Sequence, residues 1–185
     1  MKRSGFKGLV MAGLMAASVA SSTSVVSASD IFLKIGDIKG ESTDDKHKGE
    51  IDVLSWSWGT STGTGKVRRG TIPAQCIQDL ELTKLLDSAT PQLILQGLTG
   101  ETAKEATLTM RKAGKGQQEF LVIKMNDVMV TSYHTGGDAG SESQLTDHVV
   151  LNFSSIDIEY RPQRADGSIG QAVAFPVVSA CQDKK

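Results

Sequence analysis

Apolar and polar residues alternate with period two along most of this chain, the spacing that turns one face of a strand toward a core. At 31–35, Ile31, Leu33 and Ile35 share a face, and Gly36 and Gly40 bracket a turn. Residues 41–50 are almost wholly polar and read as an exposed excursion. At 51–58, Leu54, Trp56 and Trp58 fall on one face, with Ser55 and Ser57 on the other beside Ile51 and Val53. Residues 59–70 are a Gly-rich loop, and a strand is expected at 76–83. The spacing at 85–98 predicts a helix. Thr90 is placed to cap it, Pro91 suits the first helical position, and Gly97 and Gly100 offer a stop.

A hairpin follows. Ala106, Leu108 and Met110 alternate with Thr107, Thr109 and Arg111, residues 114–116 make the turn, and 120–131 return. After a Gly/Ser loop at 136–143, Val149, Leu151 and Phe153 point one way, and Ile156, Ile158 and Tyr160 continue in a shifted phase. The slip predicts a β-bulge at Ser154–Ser155. Residues 165–168 form a turn, and a last strand runs over 171–178, where Pro176 belongs at an edge or strand end. About seven short strands with one helix and frequent Gly turns indicate a mostly β fold, a barrel or a sandwich.

Residues 1–28 break the pattern. Lys2, Arg3 and Lys7 form a basic head, residues 9–20 carry no charge, and a Ser-rich stretch ends in Val26-Ser27-Ala28. That layout is a secretory signal peptide with cleavage after Ala28, and the apolar run is short for a bilayer span. The domain is therefore expected at 29–185. The 20 basic residues less these three leave 17 against 21 acidic ones, a net of −4, which excludes a broad nucleic-acid footprint. In an exported chain Cys76 and Cys181 can form a disulfide; two buried thiols are the other reading.

Chemistry is sparse. His47, His134 and His148 have no metal spacing and read as solvated histidines, and Ser132-Tyr133-His134 is no nucleophile elbow. Gly63-Thr64-Gly65-Lys66 lacks a full phosphate-loop pattern, and the sequon at Asn152-Phe153-Ser154 falls inside a strand. Asp44, Asp45 and Glu50 alternate with Lys46 and Lys48, as on a solvated mixed-charge surface. No residue set meets the minimum for catalysis, and no cofactor or metal is implied.

Blocks of sequence carry more. Residues 30–42, DIFLKIGDIKGES, resemble the opening of the Hcp (hemolysin-coregulated protein) family, and 50–59, EIDVLSWSWG, resemble its second strand. Leu82-Thr83-Lys84 with Asp87, Thr90 and Pro91 is similar to its helix start; Leu151-Asn152-Phe153 and Glu159-Tyr160-Arg161-Pro162-Gln163 are similar to its late strands. The resemblance implies a small antiparallel β-barrel of two sheets with one flanking α-helix. It implies a non-enzymatic protein whose hexameric rings stack into the inner tube of a type VI secretion system, inside a sheath and behind a spike, with small effector cargo in the lumen. By position, Ser55 and Ser57 match the ring interior, and Lys39, Gly40, Glu41, Ser42, Asp44, Lys46 and His47 match the loop that meets the next ring. Two departures stand out. Tube proteins of the family normally lack a signal peptide, so the alternatives are an exported ring protein with a binding role outside the tube, or a misread N-terminus and a tube subunit that is cytoplasmic before secretion. The C-terminal end, 174–178 followed by Cys181, also differs from the family's usual Gly-Trp strand.

Overall fold

Period-two alternation delivers strands almost wherever it occurs. In a computed structural model that describes residues 29–62, 75–112, 117–137, 145–164 and 168–178, ten strands and one helix follow in order. They are β1 (Ser29–Ile35), β2 (Ile51–Ser57), β3 (Thr60–Thr62), β4 (Gln75–Ile77), β5 (Leu80–Leu85), α1 (Thr90–Thr99), β6 (Thr102–Lys112), β7 (Glu119–Gly136), β8 (Thr146–Asn152), β9 (Ser155–Tyr160) and β10 (Val173–Val178). The segment expected to be a signal peptide, 1–28, lies outside the described residues.

Antiparallel neighbours run β7–β6–β1–β2–β5–β8, and β8 pairs back onto β7, which closes a six-strand barrel. The 18-residue β7 serves two partners in succession: 129–136 pair with β8 and 121–126 with β9. β10 lies outside β9 and carries Pro176 at the sheet edge, where a missing N–H costs no ladder bond. β3 and β4 form a separate two-stranded ribbon. Inward side chains of the closed strands make one core, with Leu33, Ile35, Ile51, Leu80, Leu108, Ile123, Met125 and Leu151 fully buried, and Ile156 of β9 joins it.

The strand count exceeds the expected seven because two runs divide and because β3 forms at Thr60–Thr62, inside the stretch 59–70 expected to be a loop. The stretch 76–83 splits at Gln78–Asp79, and 149–160 breaks at Phe153–Ser154. At that second break β7 and its partner bend together. The Ser154 N–H donates to the Asn126 carbonyl, and Asp127 opposite adopts a left-handed φ of 51°. Both strands shift phase at this corner, so register is kept across it, and the expected one-sided bulge is a shared bend. Among the described residues the register shifts lie at Leu54 in β2 and at Phe120 and Thr131 in β7.

The helix is shorter than its spacing predicts. Leu85 belongs to β5, and α1 begins at Thr90 with Ala89 at the cap position and no side-chain cap. Pro91 still falls in the first turn, where its missing N–H is harmless. Gly100 ends the helix with φ 69°, its N–H donating to the Gln96 carbonyl, as a left-handed C-terminal glycine should. α1 buries Leu93 and packs along β7.

Candidate assembly surfaces

The polar excursion between β1 and β2 is not the free loop that its composition suggests. Its two arms bond to each other: the Gly40 N–H donates to the Gly49 carbonyl, Ser42 N–H to Glu50, and Gly49 N–H back to Ser42. A Cβ on Gly40 would sit 2.4 Å from the Glu50 carbonyl oxygen, so only glycine allows this approach. The closed excursion lies over the outer face of β1 and β6 and covers Phe32, Thr109 and Arg111, each 5 % exposed or less. His47 turns inward and stacks on Phe32, ring centroids 4.3 Å apart and planes 7° from parallel. Its Nδ1 lies 2.9 Å from Glu50 Oε2.

Arg111 clamps the excursion to the barrel. Its two terminal nitrogens bond to both oxygens of Asp44, at 2.9 and 2.7 Å, and a third bond reaches Asp30 Oδ2 at 2.9 Å. A forked guanidinium–carboxylate pair of this kind is strong and directional. The Arg111 hydrogen bond holds the Asp44 carboxyl down at about 2. The expectation of a fully solvated surface is therefore corrected. Ser42 and His47 are buried and Asp44 is half-buried, whereas Lys39, Glu41, Asp45, Lys46 and Lys48 project outward. At the base of the excursion, Glu41 Oε1 accepts from the Ser88 N–H and the Lys39 carbonyl accepts from the Ser88 hydroxyl.

A second polar cluster is wholly internal. Lys84 has no exposure, and its Nζ donates to Asp147 Oδ2 (2.8 Å), the Leu85 carbonyl (2.7 Å) and Thr90 Oγ1 (3.0 Å), with Asp87 Oδ1 at 2.8 Å. Thr90 Oγ1 in turn donates to Asp147 Oδ2 at 2.6 Å. Thr90 thus ties the start of α1 to β5 and β8 instead of capping the helix. Burial pushes the Asp147 carboxyl up, but the hydrogen bonds from Lys84 and Thr90 lead the effects that hold it below its ordinary value. Burial and the neighbouring Asp147 push the Tyr133 phenol well up.

The outer face of β2, β5, β8 and β7 is different again. The bulge at Leu54 returns Trp56 and Trp58 to the core side with Ile51 and Val53, and leaves Leu54, Ser55 and Ser57 outside. This corrects the face assignment of Leu54 and of the two tryptophans. Register then lines up a row across four strands: Ser55 opposite Thr83, Thr83 opposite His148, His148 opposite His134. The adjacent row is Ser57, Glu81, Val150 and Ser132. Ser55, Ser57, Glu81, Thr83, His148 and Val150 line one shallow hollow of ≈ 160 Å³. His134 and His148 sit in strands, not loops, and the sequence alone could not bring them together, because their adjacency depends on register across 14 positions.

Among the described residues, exposed apolar side chains gather on α1 and on the outer strands. Leu95 and Leu98 project from α1, at 56 and 81 % exposure, and Tyr160, Val173 and Phe175 lie on the outer strands β9 and β10. Among the described residues no group of three His, Cys, Asp or Glu is arranged to hold a metal. β4 places Cys76 opposite Ser61, but its side chain and Cys181 lie outside the described residues, and so does 63–66.

The fold is a closed six-strand antiparallel barrel with two outer strands, a short helix and a clamped excursion. A family model described as type VI secretion system effector, Hcp, matches residues 32–160. The chain is 45 % identical over 144 residues to the protein hcp1 of Pseudomonas aeruginosa, covering 76 % of this chain and 88 % of that one. Among solved structures it is similar to Hcp1 from Salmonella typhimurium (33 % identity, TM-score 0.64, 80 % of this chain and 94 % of that one). A protein solved as a type six secretion system protein superposes with a TM-score of 0.74 at 26 % identity, over 80 % of this chain and 93 % of its own. The chain belongs to the Hcp family of type VI secretion, a structural and non-enzymatic family of tube subunits and effector carriers.

Proposed function

We propose that the chain forms hexameric rings in which the outer face of β2, β5, β8 and β7 lines the central hole. The observation that carries this is the double row of small and polar side chains from Ser55 and Ser57 to Ser132 and His134, on four hydrogen-bonded strands of one face. Such a face suits a water-filled passage that holds folded cargo by many weak contacts. The apolar patches at Leu95 and Leu98 and at Tyr160, Val173 and Phe175 are the subunit contacts in this reading, since exposed apolar patches mark interaction surfaces. The clamped excursion at 39–50 meets the next ring through Lys39, Glu41, Lys46 and Lys48, with Gly40, Ser42, Asp44 and His47 holding its shape. Sheath, spike and small effector proteins are the partners beyond the chain itself.

Ser57→Trp tests the lumen assignment. Rings of unchanged mass that no longer retain co-purified cargo are expected; rings that fall apart would place Ser57 in a subunit contact instead. Lys46→Glu with Lys48→Glu should leave rings intact and abolish their stacking.

A second reading rests on the basic head, apolar run and small-x-small end of residues 1–28, which precede the family match that starts at residue 32. In that reading the segment is a signal peptide, and the mature chain is a periplasmic or secreted ring protein with a binding role outside the tube. In the oxidising compartment Cys76 and Cys181 would pair. Intact mass of the native protein separates the readings: a chain beginning near Ser29 outside the cytoplasm supports export, and a full-length chain in cytoplasmic rings refutes it.

A further inference from the structure

We propose that His134 and His148 form a two-imidazole site for a divalent transition-metal ion on the outer face of the barrel. The two residues are direct cross-strand partners in the β7–β8 pair, and both are exposed. Their strand neighbours Tyr133 and Asp147 turn to the other face, where Asp147 is wholly buried. The two imidazoles therefore rise side by side from the same surface. Directly opposed residues hold their Cβ atoms about 4.5–5.5 Å apart. Two nitrogens that each bind one ion at about 2.0–2.1 Å need to approach each other to roughly 3 Å, a convergence two neighbouring imidazoles reach without moving the backbone.

His148 has a partner that prepares it. Its Nδ1 lies 3.0 Å from Thr83 Oγ1, on the strand next to β8. With the proton on Nδ1, that nitrogen donates to the hydroxyl and leaves the Nε2 lone pair for a metal. Histidine ligands are commonly oriented by such a bond from the second ring nitrogen. Imidazole pairs suit zinc, nickel and copper, and water completes the coordination on an open face. Glu81, in the adjacent row of the same face, adds a negative charge that favours a cation there. The site lies wholly within one chain, so it stands or falls independently of the ring. If the face lines the hole, every subunit repeats it there.

The test uses the full chain prepared without an affinity tag, with ZnCl₂ and NiCl₂ as probes in calorimetry and equilibrium dialysis. Saturable uptake of one ion per chain is expected with either probe, since imidazole nitrogens suit both ions. His134→Ala and His148→Ala, both on an exposed face and checked for unchanged folding by circular dichroism, should each weaken uptake by about tenfold or more. Thr83→Val should weaken it by a smaller factor through the lost orienting bond. With Cu²⁺ in place of Zn²⁺, electron paramagnetic resonance should show two nitrogen ligands, reduced to one in either variant. Absence of saturable uptake, or uptake unchanged in both alanine variants, would overturn the proposal.

Discussion

Lys84→Met removes a charge from the most enclosed polar cluster in the barrel. Lys84 and Asp147 both have no exposure, and Lys84 Nζ lies 2.8 Å from Asp147 Oδ2 and from Asp87 Oδ1. Methionine keeps the bulk of the stem, so the packing changes little. What it leaves is a buried carboxylate with the Thr90 hydroxyl but without its cation. Removing one partner of a buried pair costs about 3–5 kcal/mol. In a domain of this size each kcal/mol lowers Tm by about 2–4 °C, so the drop is on the order of 6–20 °C. The sign with pH follows from Asp147. In the parent chain burial pushes its carboxyl up, but the hydrogen bonds prevail and hold it below its ordinary value. Its contribution is therefore present above the unfolded-state pKa and is lost as pH falls through the folded one. Without Lys84, burial prevails and the folded pKa rises. The variant then regains part of its loss when Asp147 takes up a proton, and the gap between the two proteins narrows from pH 7 toward pH 4. Removing both partners, as in Lys84→Met with Asp147→Leu, should cost less than the single change. The assay is thermal unfolding followed by near-ultraviolet circular dichroism at one chain concentration, since assembly adds stability by mass action. A loss under about 1 kcal/mol, or a gap that is the same at pH 4 and pH 7, would refute the reasoning.

Further outcomes follow from the clamp on the excursion. Arg111→Gln should speed amide exchange at Gly40, Ser42, Gly49 and Glu50 while leaving the barrel strands protected; equal protection would show that the excursion needs no clamp. Asp44, held at about 2, keeps its charge and its pairing through mild acid, so carbon NMR should show its carboxyl titrating below the other aspartates, with the excursion loosening only as pH falls through that value. Gly40→Ala drives a Cβ into the Glu50–Ile51 backbone and should open the excursion as Arg111→Gln does, whereas Gly49→Ala meets open space but a φ of 74° and should cost about 1 kcal/mol. Leu108→Ala in the core should cost about 2–5 kcal/mol, measured by urea unfolding.

Most strands were legible because they keep one face buried, although alternation alone left a barrel and a sandwich both open. Ile31, Leu33 and Ile35 in β1 and Val149 and Leu151 in β8 alternate as half-buried strands must, though Ile31 is only partly covered. The helix stop at Gly100 was legible too, because a left-handed terminus calls for glycine. What alternation misread are places where a third element covers the second face or a bulge resets the phase. Phe32 and Arg111 occupy polar-face positions of β1 and β6 and are buried only because the excursion lies over them. Trp56 and Trp58 join Ile51 and Val53 through the bulge at Leu54, which no spacing rule reveals. The burial of Lys84 depends on Asp147, 63 residues away, and so cannot be read from local spacing. The two-histidine row was invisible for the same reason: pairing register is set by closure of the barrel, not by local sequence.

On the proposed assembly, the β2–β5–β8–β7 face of each subunit lines the hole of a ring. Cryo-electron microscopy of the native particle tests it most directly. The account predicts six-membered rings with Ser55, Ser57, Thr83 and His148 facing the central passage. A monomer, or a ring that turns this face to its outer wall, would contradict it.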